Sequence, residues 1–150
     1  MTPEEYYAAL EEKVSTKVFK SVKRTVRLGD VEFKTIDYSF KNIFNEDKLY
    51  ADPKYRMLLP RGCCITFACD KQRDDKLSDK LTDKPVHALT GHPKFGYDGD
   101  YTVGVPMDTI VRRVYTQKEN GQCGHVSAFR YEDEPYLVIG SKNVHLVVRA

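Results

Sequence analysis

The chain shows one helix pattern, at its N-terminus, and nearly every apolar stretch after it is short and rich in β-branched or aromatic residues. Residues 2–14 predict the helix, because Thr2 suits the N-cap, Pro3 suits the first helical position and Glu5 completes a capping box. Apolar residues then recur at positions 6, 10 and 14, on one helical face. This order of elements predicts a β-rich α+β domain, with one helix leading a string of short antiparallel strands.

Turn signals divide the remaining chain into short strands. Residues 18–40 predict two strands joined at Gly29-Asp30, and residues 125–131 and 136–139 predict a hairpin whose turn is residues 132–135. Further strands are predicted around residues 63–67, 85–89 and 144–148. The intervening segments are interpreted as a loop or short helix (41–55), a strand or short helix (110–115) and irregular loops (71–84, 92–101).

Length and composition limit the class of protein. The 150 residues suit a single domain, and a net charge of +2 does not by itself indicate a nucleic-acid-binding protein. No signal-peptide pattern stands at the N-terminus and no apolar run is long enough to cross a membrane. The four cysteines form no C-x-x-C pair, so we predict reduced thiols in a cytosolic or nuclear protein and assign no metal ligand.

Six basic residues and no acidic one lie between positions 13 and 27. Such a run is most often the solvated face of a strand, and it can also contact a phosphate backbone. Both interpretations are open from the sequence, and the first is the more common.

The segment Lys118-Glu119-Asn120-Gly121 has the form K-x-(D/N)-G and stands between a β-favouring segment and the predicted hairpin. A lysine amine must be unprotonated to attack phosphorus, and nearby cations and partial burial lower its pKa. A short polar residue and a glycine let the backbone turn tightly beneath a nucleotide. The motif is weak in isolation, because any surface turn can contain it. What strengthens it is the surrounding order of motifs.

That order begins with Arg61-Gly62 before an apolar strand and continues with Pro93-Lys94-Phe95. Lys118-Glu119-Asn120-Gly121 follows, and Ser141-Lys142 at the end of a strand closes the set. In order and spacing the chain resembles RNA ligases of the phage T4 RNA ligase 1 type and the adenylyltransferase domain of fungal and plant tRNA ligases. The resemblance covers roughly residues 55–148. Gly96 stands where that family often has a second phenylalanine.

The resemblance implies the N-terminal portion of a β-rich nucleotidyltransferase (ATP-grasp-like ligase) domain that uses ATP and Mg²⁺. Lys118 would be the catalytic nucleophile that forms lysyl-AMP during RNA end joining in RNA repair. The other residues would bind the nucleotide: Arg61 and Lys94 at the triphosphate, Gln117, Asn120 and Gly121 in the pocket, and Lys142 beside the α-phosphate or the nucleic-acid end. RNA ends and ATP would be the partners, with no membrane.

The family's later motifs are not found before Ala150. These supply an aromatic residue that stacks on adenine, a metal-binding glutamate and two lysines at the α-phosphate. We therefore expect the N-terminal part of a longer enzyme, with little strand joining by these residues alone. We also expect its last strand to pair with the remainder of the ligase chain or to associate with another copy through its edge.

An alternative hypothesis is a β-rich module that grips RNA through the basic run and its tyrosines without covalent chemistry. Two histidines, His125 and His145, are interpreted as core or edge residues rather than as ligands. Cys63 and Cys64 point to opposite faces of a predicted strand, so one of the two is expected to be buried.

Overall fold

The structure, a computed structural model, describes residues 1–42, 46–69, 84–93, 107–109, 111–112, 114, 117 and 121–150. The elements are α1 (Pro3–Ser15), β1 (Phe19–Leu28), β2 (Val31–Phe40), α2 (Glu46–Ala51), α3 (Pro53–Leu58), β3 (Cys63–Cys69), β4 (His87–Thr90), β5 (His125–Tyr131), β6 (Glu134–Gly140) and β7 (His145–Arg149), and a 3₁₀ turn lies at Met107–Thr109. The predicted β-rich α+β architecture, with a leading helix and antiparallel strands, is confirmed.

The strands form two antiparallel sheets. Sheet A has the order β1-β2-β3-β4 and sheet B the order β5-β6-β7. The β1–β2 hairpin runs from the pair Phe19↔Phe40 to the pair Leu28↔Val31. Its turn places Gly29 at a φ of 69°, which favours glycine, as the sequence predicted.

Helix α1 begins at the predicted capping box. The Glu5 backbone N–H donates to the Thr2 hydroxyl, and the Thr2 N–H donates to the Glu5 carboxylate. The helix packs on sheet A, where the Tyr6 hydroxyl donates to the carbonyl of Leu58 at 2.8 Å and lies 3.2 Å from Cys63 Sγ. Residues 46–58, inside or beside the segment interpreted as a loop or short helix, form two short helices that complete this layer.

Sheet A is covered on both faces. Alternate residues of β2 and β3, among them Ile36, Tyr38 and Ile65, pack against the helices. The residues between them pack against sheet B, where Phe33 contacts the ring of Tyr136. Because both faces are covered, Cys63 and Cys64 are both fully buried, and the expectation that one of the two is buried was too narrow.

Among the described residues, side chains cover one face of sheet B. Its inner side chains contact sheet A, while the outer row Val126, Ile139 and Leu146 is 73%, 37% and 45% exposed. The β5–β6 turn is narrower than predicted, because Glu134 and Pro135 already pair within the ladder. Glu132 and Asp133 make the turn alone, with φ values of 48° and 65°, a conformation that matches the twist of the strands.

The other predicted segments have mixed outcomes. The strands predicted at residues 85–89 and 144–148 are β4 and β7, each shifted by one or two residues. In the segment 110–115, residues 111, 112 and 114 are outside any helix or strand, and the rest lies outside the described residues. So do residues 71–83 and 94–101 of the predicted loops.

Candidate functional site

Two histidines share one row across sheet B. His125 of β5 and His145 of β7 both pair with Gly140 of β6, one on each side. Their imidazole rings are nearly parallel, with an interplanar angle of 4° and centroids 5.3 Å apart. His145 is fully buried and His125 is half-buried, so one end of the row lies in the core and the other approaches the surface.

A buried carboxylate fixes the inner histidine. Asp37 of β2 lies on the face of sheet A that meets sheet B, and its Oδ1 is 2.6 Å from His145 Nδ1. Its Oδ2 accepts from Arg24 Nη1 at 2.5 Å and from the His145 backbone N–H at 3.3 Å. Both carboxylate oxygens are therefore occupied, which offsets the cost of burying the charge.

The contacts continue outward to a thiol. His145 Nε2 is 3.1 Å from His125 Nδ1, and His125 Nε2 is 3.1 Å from Cys123 Sγ. We call the set Asp37, His145, His125 and Cys123 the histidine relay. Because a carboxylate only accepts hydrogen bonds, His145 Nδ1 carries a proton, and a neutral His145 then accepts from His125 at Nε2. His125 in turn accepts the S–H hydrogen of Cys123, so every proton points inward.

Two glycines make room for the imidazoles. A Cβ on Gly62, just before β3, would lie 1.9 Å from His125 Cε1, and a Cβ on Gly140 would lie 2.1 Å from the Val144 carbonyl oxygen and 2.5 Å from His145 Cδ2. Gly62 also has a φ of 97°, which favours glycine. No other residue fits at either position without moving a ring, so the relay is built into the backbone.

The segment Arg61-Gly62 lies next to the residues before Pro93 and next to the first residue of β5. The Arg61 N–H donates to the His92 carbonyl at 3.0 Å, and the Gly91 N–H donates to the Gly62 carbonyl at 2.6 Å. Arg61 is half-buried in this arrangement.

Lys142 lies at the same end of the sheets, beside a cavity of about 300 Å³. Its ammonium group is 2.5 Å from Glu46 Oε1. Two further cations of β1, Lys20 and Arg24, line this cavity, together with Gly62. The volume is at the lower end of the range for small-molecule pockets. The lining holds three cations and two carboxylates, Asp37 and Glu46, so its net charge is positive by one.

The remaining predicted nucleotide-binding residues have different outcomes. Gln117 and Gly121 are exposed, and nothing lies within 4 Å of a Cβ built on Gly121. Lys94, Lys118 and Asn120 lie outside the described residues, so their predicted roles are not tested by the structure.

A metal ion has one geometric candidate among the described residues. Asp37, Cys64 and His145 place one ligand atom each within 4.8 Å of one another. The three side chains are fully buried, and His145 Nδ1 and both Asp37 oxygens already have partners. Hydrogen bonds therefore already use the carboxylate oxygens and the imidazole nitrogen that an ion would need. These groups are better suited to hydrogen bonding than to holding an ion.

Burial also sets the proton affinity of the relay's outer histidine. It lowers the pKa of His125, and the neighbouring His145 and His92 lower it further. His125 is therefore neutral near pH 7 and free to accept a proton at Nε2. Burial favours the neutral form of Cys63 as well, and because the charged form of a thiol is the anion, it raises the pKa of Cys63 to about 12.

The sequence predicted that His125 and His145 are core or edge residues, and His145 is indeed buried in the core. The sequence did not predict that the two histidines are hydrogen-bonded to each other and to Asp37. A signal for it was present: Asp37 is the one charged residue on the face of β2 that also carries Phe33 and Thr35, and a buried carboxylate needs partners. Which residues would supply them is set by the packing of the two sheets.

A protein-family model described as Domain of unknown function (DUF7920) matches residues 14–150. The chain belongs to this family. The match spans every strand and both sheets, and leaves out most of α1. Neither the curated proteins nor the solved structures include a significant match to this DUF7920 chain. Among its described residues, no helix combines the length and the apolar character needed to cross a membrane.

Proposed function

We propose that this DUF7920 chain is part of an ATP-dependent RNA-ligase-type nucleotidyltransferase that joins RNA ends, with Lys118 as the residue that becomes linked to AMP. The proposal covers a finer fold assignment, a ligase-type nucleotidyltransferase domain, within the α+β architecture described above. The four free cysteines favour a reducing compartment, either the cytosol or the nucleus.

One observation carries the proposal: Gly62 and Lys142, which belong to two motifs far apart in sequence, line one cavity at the same end of the two sheets. Arg61-Gly62 is hydrogen-bonded to residues 91–92 and touches His125, four residues after Gly121. Lys142 lines the adjacent cavity together with Gly62. A nucleotidyltransferase needs its nucleophile and its phosphate-binding cations around a single pocket, and this convergence supports that arrangement.

The charges around the cavity fit the phosphates of ATP. Lys20, Arg24 and Lys142 supply positive charge, and two of them now pair with carboxylates, Arg24 with Asp37 and Lys142 with Glu46. A phosphate group would compete with Glu46 for the exposed part of Lys142, whereas buried Asp37 holds Arg24 more firmly. Mg²⁺, when bound with ATP, would neutralise charge on the phosphates.

The test is the intact mass of the protein after incubation with ATP and Mg²⁺. We expect the wild type to gain one AMP and Lys118→Ala to gain none, because the phosphoramidate forms on that amine. Lys23→Ala is the matched control, since Lys23 is exposed on β1 and does not line the cavity, and it should gain AMP like the wild type.

If this chain gains no AMP, the same mass measurement is made on the longest natural polypeptide that contains it. No adduct there would contradict the proposal. An adduct that persists in Lys118→Ala would place the nucleophile elsewhere.

A second candidate function is RNA binding without covalent chemistry. It rests on the basic run, of which Lys20, Lys23 and Arg27 are exposed along the edge strand β1. Two members of the run have other uses: Lys13 is buried beside Glu12, and Arg24 is bound to Asp37. Salt-sensitive RNA binding that survives Lys118→Ala, with no AMP adduct on any form, would favour this function.

A further inference from the structure

Cys123 is the exposed end of the histidine relay, and the proposed nucleotidyl transfer does not use it. The other three cysteines are different. Cys63 and Cys64 are fully buried with raised thiol pKa values, and Cys69 is half-buried at the end of β3. An exposed thiol in contact with a histidine that is itself held by a second histidine and a carboxylate has the arrangement of an activated nucleophile.

We propose that Cys123 is a nucleophilic S-thiolation site that reacts with low-molecular-weight disulfides, with His125 as its general base and with His145 and Asp37 as positioning residues. Thiolation of Cys123 does not depend on the proposed nucleotidyl transfer, because the nucleophile is Cys123 and not Lys118.

The hydrogen-bond directions prepare the proton transfer. Asp37 holds the proton of His145 on Nδ1, and this directs the proton of His125 to its own Nδ1. His125 Nε2 is left as an acceptor, 3.1 Å from Cys123 Sγ. A free histidine populates both tautomers, so the relay removes the form that could not accept from the thiol.

The reaction balances without any further reagent. The Cys123 S–H proton moves to His125 Nε2 as the sulfur attacks one sulfur of the disulfide. A new S–S bond forms at Cys123 and the S–S bond of the reagent breaks. The departing thiolate then takes the proton from His125. Cys123 is oxidised to a mixed disulfide, and one half of the reagent is reduced to a thiol.

The surroundings of His125 disfavour a positive charge on its ring, but that charge can pass to the interior. As Nε2 takes up the proton, the Nδ1 proton can shift toward His145, whose other nitrogen is bound to the Asp37 carboxylate. The titratable and charged groups around the relay, taken from every element that packs on it, are Arg24 of β1, Asp37 of β2, Cys64 of β3, His92 after β4, and His145 of β7.

The first test needs no variant. Glutathione disulfide is added to the folded protein and, separately, to the urea-unfolded chain at the same pH, and the rate of glutathionylation at Cys123 is followed by peptide mass mapping. An ordinary thiol with a pKa of about 8.5 is only a few per cent thiolate at pH 7, so activation can raise the rate by up to about thirtyfold. We expect Cys123 to react at least about fivefold faster when folded.

The second test removes the base. His125→Gln should slow the reaction of folded Cys123 by about tenfold and return its rate profile to that of an ordinary thiol, which rises only at alkaline pH. His87→Gln is the matched control: His87 is a half-buried histidine that also contacts a side-chain partner, Ser127, but lies outside the relay. It should leave the rate unchanged.

Asp37→Asn tests the positioning role. An asparagine in this place no longer holds a carboxylate against His145, so the midpoint of the rate profile should move while the thiol stays accessible. If this variant unfolds, the comparison of folded and unfolded wild type still decides. Equal rates in those two states, or an unchanged rate in a folded His125→Gln protein, would overturn the proposal.

Discussion

Gly62 and His125 show how a single residue controls the site. The glycine has a φ of 97° and lies flat against the imidazole, so its missing side chain is what lets the ring approach β3. Arg61-Gly62 could be recognised as a motif from the sequence, but the contact between Gly62 and the His125 ring could not be predicted from it. The distance to His125 depends on how sheet B is placed over sheet A.

We predict that Gly62→Ala destabilises the protein by about 2–5 kcal/mol. Backbone strain at a positive φ contributes about 1–3 kcal/mol, and the overlap with His125 adds a similar amount. Urea unfolding measures the loss, and Gly124→Ala is the control because nothing lies within 4 Å of its added Cβ. A Gly62→Ala protein as stable as the control would contradict the geometry of the site.

The helix α1 shows what local sequence decides at the scale of an element. Its N-terminus was predicted from Thr2, Pro3 and Glu5, and the structure places all three as the capping box requires. These contacts join residues at most three positions apart, so no knowledge of the fold is needed to find them. The turn Glu132-Asp133 is the opposite case, because its two-residue length follows from how β5 and β6 pair.

We predict that Thr2→Ala lowers the free energy of unfolding by about 1 kcal/mol, since the Glu5 backbone N–H loses its acceptor. Thr2→Ser keeps the hydroxyl and should stay within about 0.5 kcal/mol of the wild type. Chemical denaturation of both variants gives the comparison. Equal losses in the two would mean that the hydroxyl does not act as the cap.

At the scale of the whole molecule, the three layers of helices, sheet A and sheet B explain where the titrating groups are. The interface between the sheets buries not only apolar side chains such as Phe33 but also His145, and half-buries His87 and His125. His87 of β4 is hydrogen-bonded to Ser127, with Nε2 and Oγ 2.9 Å apart, and its ring stacks on Phe129. These two contacts link sheet A to sheet B beside the relay. Protonation of these rings therefore bears on how the layers hold together.

We predict that stability falls as the pH is lowered through the range below about 6.5. Burial lowers the pKa of both His87 and His125 in the folded protein, so the unfolded chain binds more protons in that range. Their contribution is fully present above the unfolded pKa and is lost as the pH falls toward the folded values. Thermal unfolding at several pH values measures the slope. His87→Gln with His125→Gln should flatten it, and an unchanged slope would contradict the assignment.

The parts of this protein that depend on near neighbours along the chain could be predicted from the amino-acid sequence. These are the capped helix, the β1–β2 hairpin with its glycine turn, the hairpin β5–β6 and the α+β class. Each depends on local propensity, capping or periodicity, which a short stretch of residues carries without help from the rest. The motif order that suggests an RNA ligase is also a property of the sequence, and the role of Lys118 remains a proposal.

Packing between the sheets brings distant residues of those elements together. Asp37 and His145 are separated by 108 positions, and Gly62 precedes β3 of sheet A while His125 lies in β5 of sheet B, so no local pattern could place one against the other. Burial of both Cys63 and Cys64, and the row of imidazoles over Gly140, follow from packing sheet B on sheet A. The physical reason is that a buried polar group acquires its partner from whichever element covers it, and that choice is made by the whole fold.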